Sequence, residues 1–194
     1  MNAGARKVRL LLVIGIAAAG AVAPTAAPAQ GERLVVLVRH AEKADQPRAD
    51  PPLTEAGRAR AHALAAVTAS AGIGAVVVTP FARTRETAAA VARARGLTPV
   101  EIPVGRSVAA HVAAVVEAVR ARPAGEPVLV VGHSNTIPAI VTALGGPPLA
   151  DLCDNQYAVL YVLSVPGEGP ARLVTASYGA ADPADAGCPA MQMR

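Results

Sequence analysis

The chain has 194 residues, enough for one domain with a substantial core, and 53% of them are apolar, which excludes a disordered tail. Only 2% are aromatic, with no Trp and a single Phe, so a base-stacking surface for single-stranded nucleic acid is not expected. The formal net charge is +4, from 18 basic and 14 acidic residues.

Residues 1–29 have the organisation of a secretory signal peptide. Three basic residues and no acid precede the uncharged run Leu10–Ala23, and a small-x-small site, Ala27-Pro28-Ala29, follows it. The run is short for a membrane span, which needs about 20 residues, although an uncleaved anchor is the alternative. We predict a signal peptide at 1–29 and one domain at 30–194. The domain would be periplasmic or secreted, with no stable membrane association after cleavage.

Cleavage would remove three basic residues and no acid, leaving 15 basic and 14 acidic residues, a net charge of +1. The basic character of the chain therefore belongs mostly to the signal, and a nucleic-acid partner is not predicted.

The two cysteines, Cys153 and Cys188, would meet an oxidising compartment after export. A disulfide between them is the favoured prediction, and two free thiols are the alternative. Neither has a second Cys or a His at metal-ligand spacing, so no metal site is predicted.

Five apolar segments favour β-strands, two of them continuously apolar as in strands buried on both faces. They are Arg33–Val38, Ala75–Thr79, 127–131, 157–165 and 171–177. Ala-rich segments with helix signals lie between them, two with the N-caps Thr54 and Ser107. This alternation predicts a layered α/β domain with a mostly parallel sheet. The last two strands, joined by "PGEGP", are predicted to form an antiparallel hairpin.

Basic and imidazole side chains follow three of these strands. Arg39 and His40 end the first strand, and Arg83 lies just after the second. His133 follows the third, which contains "VLVV". In open α/β sheets, ligands bind beyond the carboxyl ends of the strands, so these groups are expected to converge. Singly, each has a simpler interpretation, as a turn, a helix cap or a solvated surface.

Two arginines with two histidines suit a phosphoryl group. Arg presents a fork of donors that matches phosphate oxygens, and imidazole serves as a nucleophile or an acid/base near neutral pH. The segment after His133 adds good helix caps in Ser134, Asn135 and Thr136, and a helix N-terminus there would direct free N–H groups at an anion.

Four motifs together resemble the histidine phosphatase superfamily, the phosphoglycerate-mutase-like enzymes, and its small SixA-like branch. They are "LVRHAEK", "LTEAGRARA", "TPFARTRETA" and "VVGHSNT". The resemblance implies a three-layer α/β/α fold and a histidine-type acid phosphatase that needs no cofactor, and the predicted signal peptide makes it an exported one. Its substrates would be phosphomonoesters or phosphoramidates, on a phosphorylated small molecule or a phosphoprotein.

By the same resemblance, His40 is the nucleophile that becomes phosphohistidine, with Arg39, Arg83 and His133 forming the phosphate pocket. Asn135 would add a donor to phosphate. Thr54 and Gly57 would be structural, as a helix cap and a close-packing position.

The general acid departs from the family pattern, because Ser134 follows His133 where some members have Asp. Glu42 is the candidate nearest His40, and Glu101 and His111 are others; each could equally be a solvated residue. A weak or absent acid would favour substrates with good leaving groups. The alternatives to a phosphatase are a mutase and a catalytically weak or inactive phosphate-binding module of the same fold.

Overall fold

The computed structural model describes Met1 and residues 31–183. The predicted signal peptide and Cys188 therefore lie outside the described residues. The elements, in chain order, are β1 (Arg33–Arg39), α1 (Glu55–Val67), a short 3-10 helix (Ala69–Ala71), β2 (Ala75–Val78), α2 (Ala82–Arg95), β3 (Val100–Glu101), α3 (Val108–Arg120), β4 (Val128–Gly132), α4 (Thr136–Ala143), β5 (Val159–Val165) and β6 (Arg172–Ser177).

The strands form one six-stranded sheet in the order β3-β2-β4-β1-β5-β6. β1, β2, β3 and β4 run parallel, while β5 and β6 are antiparallel and close one side as a hairpin. β4 lies between β1 and β2, with Val38 and Val78 both beside Val131. This register brings the carboxyl ends of these three strands to the same edge of the sheet.

Side chains that alternate along β1 enter two different cores. Val35 and Leu37 pack with apolar residues of α3 and α4, whereas Val36 and Val38 pack with those of α1 and α2. β2 and β4 are buried along their whole length, and β1 is buried from Val35 onward, since both faces of the sheet are covered by helices. The mixed α/β fold with a mostly parallel sheet is confirmed.

The helices begin where the sequence signals predict. The side chain of Thr54 accepts a hydrogen bond from the Gly57 amide, and that of Ser107 accepts one from the Ala110 amide. β3 is an addition to the predicted strands: it has two exposed residues and no apolar run, so hydrophobic patterning gives no signal for it. None of the helices in the described ranges is long and apolar enough to cross a membrane.

Candidate active site

A cavity of about 350 Å³ lies at the carboxyl ends of β1, β2 and β4. It is lined by the side chains that the sequence predicts to converge, together with a rim of polar and apolar residues. The lining residues are Arg39, His40, Lys43, Phe81, Arg83, Val104, His133, Ser134, Asn135, Thr136 and Asp154. β1 ends at Arg39 and His40 lies just beyond it, so both neighbours reach one cavity.

Arg39 is buried and held in place by the loop before β5. Its Nη1 donates to the carbonyls of Cys153 at 2.6 Å and Gln156 at 3.2 Å, and its guanidinium lies 4.3 Å from the ring centre of Tyr157. Its Nε is buried without a partner in the part of the chain that the structure describes. Burial lowers the pKa of Arg39, against the opposing charges of Tyr157 and Asp154. The side chain is therefore fixed but retains an unused donor.

The His40 ring is 4% exposed, and a backbone contact determines its tautomer. Nδ1 lies 2.8 Å from the Ala41 carbonyl, an acceptor, so Nδ1 carries the proton and donates it there. Nε2 then keeps its lone pair. Burial, followed by the charges of Arg39, His133 and Arg83, lowers the pKa of His40 to about 3, so the ring is neutral at physiological pH.

Arg83 lies in the first turn of α2, with its guanidinium 4.2 Å from the ring centre of Phe81. Its Nε is also buried without a protein partner. Burial lowers the pKa of Arg83; Asp50 opposes this effect, and Arg39 adds to it. Two arginines thus repel each other across the cavity, an unfavourable interaction that an anion bound between them would relieve.

His133 follows β4 and faces His40, with the ring centres 5.4 Å apart. Its Nε2 lies 3.2 Å from Thr79 Oγ1, which lies 2.8 Å from Thr84 Oγ1. The Thr84 hydroxyl lies close to the carbonyls of Thr79 and Phe81, so it donates its proton to a carbonyl. The Thr79 hydroxyl therefore donates to Thr84 Oγ1. The Thr79 oxygen then accepts Nε2–H of His133. Burial and then Arg83 lower the pKa of His133 to about 4.

The chain turns sharply from β4 into α4 at the cavity floor. The His133 amide donates to Thr136 Oγ1 at 2.9 Å. A Cβ on Gly132 would lie 2.8 Å from that oxygen, so the turn needs glycine there. Asn135 is the N-cap of α4, but its side chain makes no capping bond and is exposed beside the cavity. That side chain remains available to a ligand.

Glu42 does not line the cavity and is bound by a buried arginine. Arg60 Nε lies 3.0 Å from both carboxylate oxygens, and its Nη2 lies 2.7 Å from Oε1. Burial alone would raise the pKa of Glu42, but the hydrogen bonds and charge of Arg60 lower it overall. This contact disfavours a proton-donor role, and the assignment of Glu42 as general acid stays a prediction. Gly57 packs against the same loop, since a Cβ there would lie 2.2 Å from the Glu42 carbonyl oxygen.

The other two acid candidates also have protein partners. Glu101 lies 3.7 Å from Arg85, and His111 is buried with Nδ1 3.0 Å from the Pro103 carbonyl. Neither belongs to the cavity lining.

Cys153 is not a free thiol. Cys188, the partner predicted for it, lies outside the described residues, and the pairing stays a prediction.

Cations dominate the cavity, which suits an oxyanion rather than a metal ion. Among the residues that the structure describes, no group of three or more His, Cys, Asp or Glu side chains is placed to hold a metal. Arg39, Arg83 and the exposed Lys43 face a single carboxylate in the lining, that of Asp154. A bound phosphoryl group would offset this excess of positive charge.

Sequence reasoning missed the residues that support these groups. Thr79 and Thr84 orient His133, while Thr87 Oγ1 accepts from the Ala41 amide and donates to the Arg83 carbonyl. A signal did exist in "TPFARTRETA", where three threonines are spaced around Arg83 on one helix start. Tyr157 had no such signal, because it reaches Arg39 from a loop over a hundred positions later in the chain.

Part of the chain matches a known protein family. Residues 35–105 match the sequence model of the histidine phosphatase superfamily (branch 1). A search of curated proteins found no match.

Solved structures are similar to this protein over most of the chain. A protein described as a phosphohistidine phosphatase SixA from Nakamurella multipartitia is 28% identical, with a TM-score of 0.54; the alignment covers 79% of this chain and 100% of that one. A counterpart from Agrobacterium tumefaciens is 27% identical, with a TM-score of 0.56, covering 74% and 97%. The protein histidine phosphatase SixA in complex with tungstate is 20% identical, with a TM-score of 0.58, covering 74% and 96%, and shows the fold alone.

Residues 35–105 are thus similar to the histidine phosphatase superfamily, and the structural neighbours include SixA-like proteins.

Proposed function

We propose that this protein is a phosphatase that transfers a phosphoryl group to Nε2 of His40 and then to water. The observation that carries the proposal is one arrangement of three groups. His40 presents a neutral ring whose proton is held on Nδ1, in a cavity shared with the buried Arg39 and the half-buried Arg83, whose Nε atoms have no partner among the described residues. A nucleophile with a free lone pair and cations with unused donors together fit a phosphoryl group.

The nucleophile needs no separate base in this arrangement. Because Nδ1–H donates to the Ala41 carbonyl, attack by Nε2 on phosphorus gives an imidazolium whose positive charge that carbonyl stabilises. The lowered pKa of His40 keeps the ring unprotonated well into acid solution. This supports an acid phosphatase, although a lowered pKa also makes the ring a weaker nucleophile.

The arginines would supply most of the catalysis. In phosphoryl transfer, charge spreads over three equatorial oxygens, and catalysis consists chiefly of positioning and electrostatic stabilisation. Arg39 is fixed by two carbonyls and Arg83 by the start of α2, so both are positioned before substrate arrives. His133 and the amide groups at the start of α4 complete the lining.

Water would then attack the phosphohistidine, release inorganic phosphate and regenerate His40. The SixA neighbours are described as phosphohistidine phosphatases, which makes a phosphoramidate one proposed substrate class, and phosphomonoesters are the other. Export to the periplasm or outside the cell remains part of the proposal and rests on residues 1–29 alone.

The first experiment compares turnover of 2,4-dinitrophenyl phosphate by wild type, His40→Ala and His62→Ala. His62 is an exposed histidine on α1 and makes a matched control. Wild type and His62→Ala should hydrolyse the ester, and vanadate should inhibit both. Unchanged turnover in His40→Ala would eliminate His40 as the nucleophile.

The inactive phosphate-binding module is the second candidate, favoured by the engagement of Glu42 with Arg60. It predicts that wild type binds phosphate or tungstate but hydrolyses no activated aryl ester.

A further inference from the structure

The leaving-group side of the cavity lacks an assigned proton donor. Phosphoryl transfer to His40 places the leaving oxygen opposite Nε2, toward the open mouth of the cavity. A donor must therefore come from the rim. The carboxylates near the cavity are mostly committed to other partners.

Three of these carboxylates accept hydrogen bonds from identified donors. Glu42 accepts from Arg60, Asp50 Oδ1 accepts from the Ala82 amide at 2.8 Å, and Glu86 Oε2 accepts from the Leu53 amide at 2.9 Å. Hydrogen bonds of this kind stabilise the ionised carboxylate, which cannot donate a proton.

Asp154 differs from all of these. It is the one carboxylate among the residues lining the cavity, and its side chain is fully exposed. The only charged group close to it in the described residues is Arg39, whose Nη2 lies 4.0 Å from Oδ1, beyond hydrogen-bond distance. Its carboxylate oxygens thus have no hydrogen-bond donor among the described residues.

The backbone around Asp154 is held on both sides. The Leu152 amide donates to the Ser134 carbonyl at 3.0 Å, and the Cys153 and Gln156 carbonyls accept from Arg39. Further along, the Tyr157 amide donates to Asp182 at 2.9 Å. The loop that carries Asp154 is therefore tied directly to the phosphate-binding arginine and to the start of α4.

We propose that Asp154 is the general acid of this site, donating a proton to the leaving group. The inference rests on the proposed phosphatase function. As the His40 Nε2–P bond forms and the P–O bond to the leaving group breaks, the Asp154 carboxyl proton passes to the leaving oxygen. The resulting carboxylate then removes a proton from the water that attacks phosphohistidine, which restores the acid and releases inorganic phosphate.

The position of Asp154 widens the substrate class. With this acid, the enzyme handles phosphomonoesters whose alcohol or phenol is a poor leaving group, in addition to activated ones.

The test measures kcat/KM for 2,4-dinitrophenyl, 4-nitrophenyl and phenyl phosphate in wild type, Asp154→Asn and the control Asp151→Asn. Asp151 is exposed on the same loop but does not line the cavity. Loss of a general acid should lower phenyl phosphate hydrolysis by about 10²-fold or more, while the dinitrophenyl ester loses less than about threefold. The limb of the pH profile that reports the acid should disappear for phenyl phosphate. Asp151→Asn should behave as wild type with all three esters.

Two results would overturn the inference. If Asp154→Asn lowers all three rates by the same factor, Asp154 acts only through Arg39 or on phosphate binding. If it leaves phenyl phosphate hydrolysis unchanged, Asp154 has no catalytic role. Wild-type protein that hydrolyses none of the esters and forms no phosphoenzyme would instead overturn the proposed function, and this inference with it.

Discussion

Two kinds of arginine lie near the end of β1, and they differ in how many of their donor groups have hydrogen-bond partners in the protein. Arg60 is 4% exposed, donates to both oxygens of Glu42, and uses Nη1 to donate to the carbonyls of Tyr178 and Ala180 at 2.9 Å each. Arg39 and Arg83 are also desolvated, but each leaves its Nε without a protein partner.

The difference separates a structural arginine from ligand-binding ones. A guanidinium in which every nitrogen has a protein partner joins segments of the fold: Arg60 connects α1 to the Glu42 loop and to residues after β6. A buried guanidinium with an unused donor is unfavourable unless a ligand accepts a hydrogen bond from that donor. Arg33 Nε is unpartnered too, but Arg33 lies at the opposite end of β1, away from the histidines.

Arg83→Met should have the largest effect on activity. Removing one cation from the transferring phosphoryl group is expected to lower kcat/KM by about 10³-fold, because that charge acts mainly in the transition state. The matched control is Arg85→Met in the same helical turn, where the side chain is half exposed and forms ion pairs with Asp50 and Glu101. Steady-state kinetics should show the control within about threefold of wild type. Equal losses of kcat/KM in both variants would show that Arg83 has no special role in binding the phosphoryl group.

As the pH falls, protonation linked to the cavity histidines should lower the stability of the fold before protonation of Glu42, the partner of Arg60, does. The pKa values of His40 and His133 are lowered to about 3 and about 4, from 6.5, so the unfolded chain binds protons first as pH falls. Stability is then lost from about pH 6.5 downward, on the order of 3 kcal/mol for each imidazole by pH 4. The lowered pKa of Glu42 removes further stability only below 4.5.

Urea unfolding at pH 7, 5.5 and 4 measures this window. In His40→Asn the loss between pH 7 and pH 4 should shrink, because one buried imidazole is gone. A variant with the same pH dependence as wild type would show that His40 is not held neutral by the fold.

Arg60→Met should affect stability more than chemistry. It leaves Glu42 partly desolvated without its partner, at a cost of about 2–3 kcal/mol, below the range for a fully buried pair since Glu42 keeps 22% side-chain exposure. Urea midpoints measure this cost, and the double variant with Glu42→Gln should recover part of it. Activity with the dinitrophenyl ester should fall less than in Arg83→Met; a larger fall would place Arg60 in the catalytic machinery.

Thr79→Val should have the smallest effect. It removes the acceptor of His133 Nε2–H while preserving shape, so kcat/KM should fall by about tenfold, as for other groups that orient a catalytic ring. Thr79→Ser, which keeps the hydroxyl, should restore most of the activity. Rates equal to wild type in Thr79→Val would mean that the hydroxyl does not orient His133.

Much of the fold is readable from the sequence, because its signals are local. The runs in β1 and β4 are buried on both faces, and Thr54 and Ser107 cap helices by bonds within three residues. The convergence of the strand ends could be predicted, because parallel strands have their carboxyl ends at the same edge of the sheet. β3 was missed because its pairing to β2 involves only two exposed residues.

The supporting contacts of the site could not be read, because they join distant positions without a pattern. Glu42 looked like an acid beside His40, yet Arg60 on the next helix binds it. Asp154 reaches the cavity only because Arg39 anchors its loop, across more than a hundred residues of sequence. Such partners are determined by tertiary packing and not by spacing.

Trapping the phosphoenzyme tests the central claim most directly. Wild-type protein mixed with a phosphorus-labelled aryl phosphate, quenched in denaturant and digested, should carry an acid-labile, alkali-stable label on the peptide containing His40. His62→Ala should give the same label and His40→Ala none. Label on another residue, or turnover by wild type without any label on His40, would contradict the account.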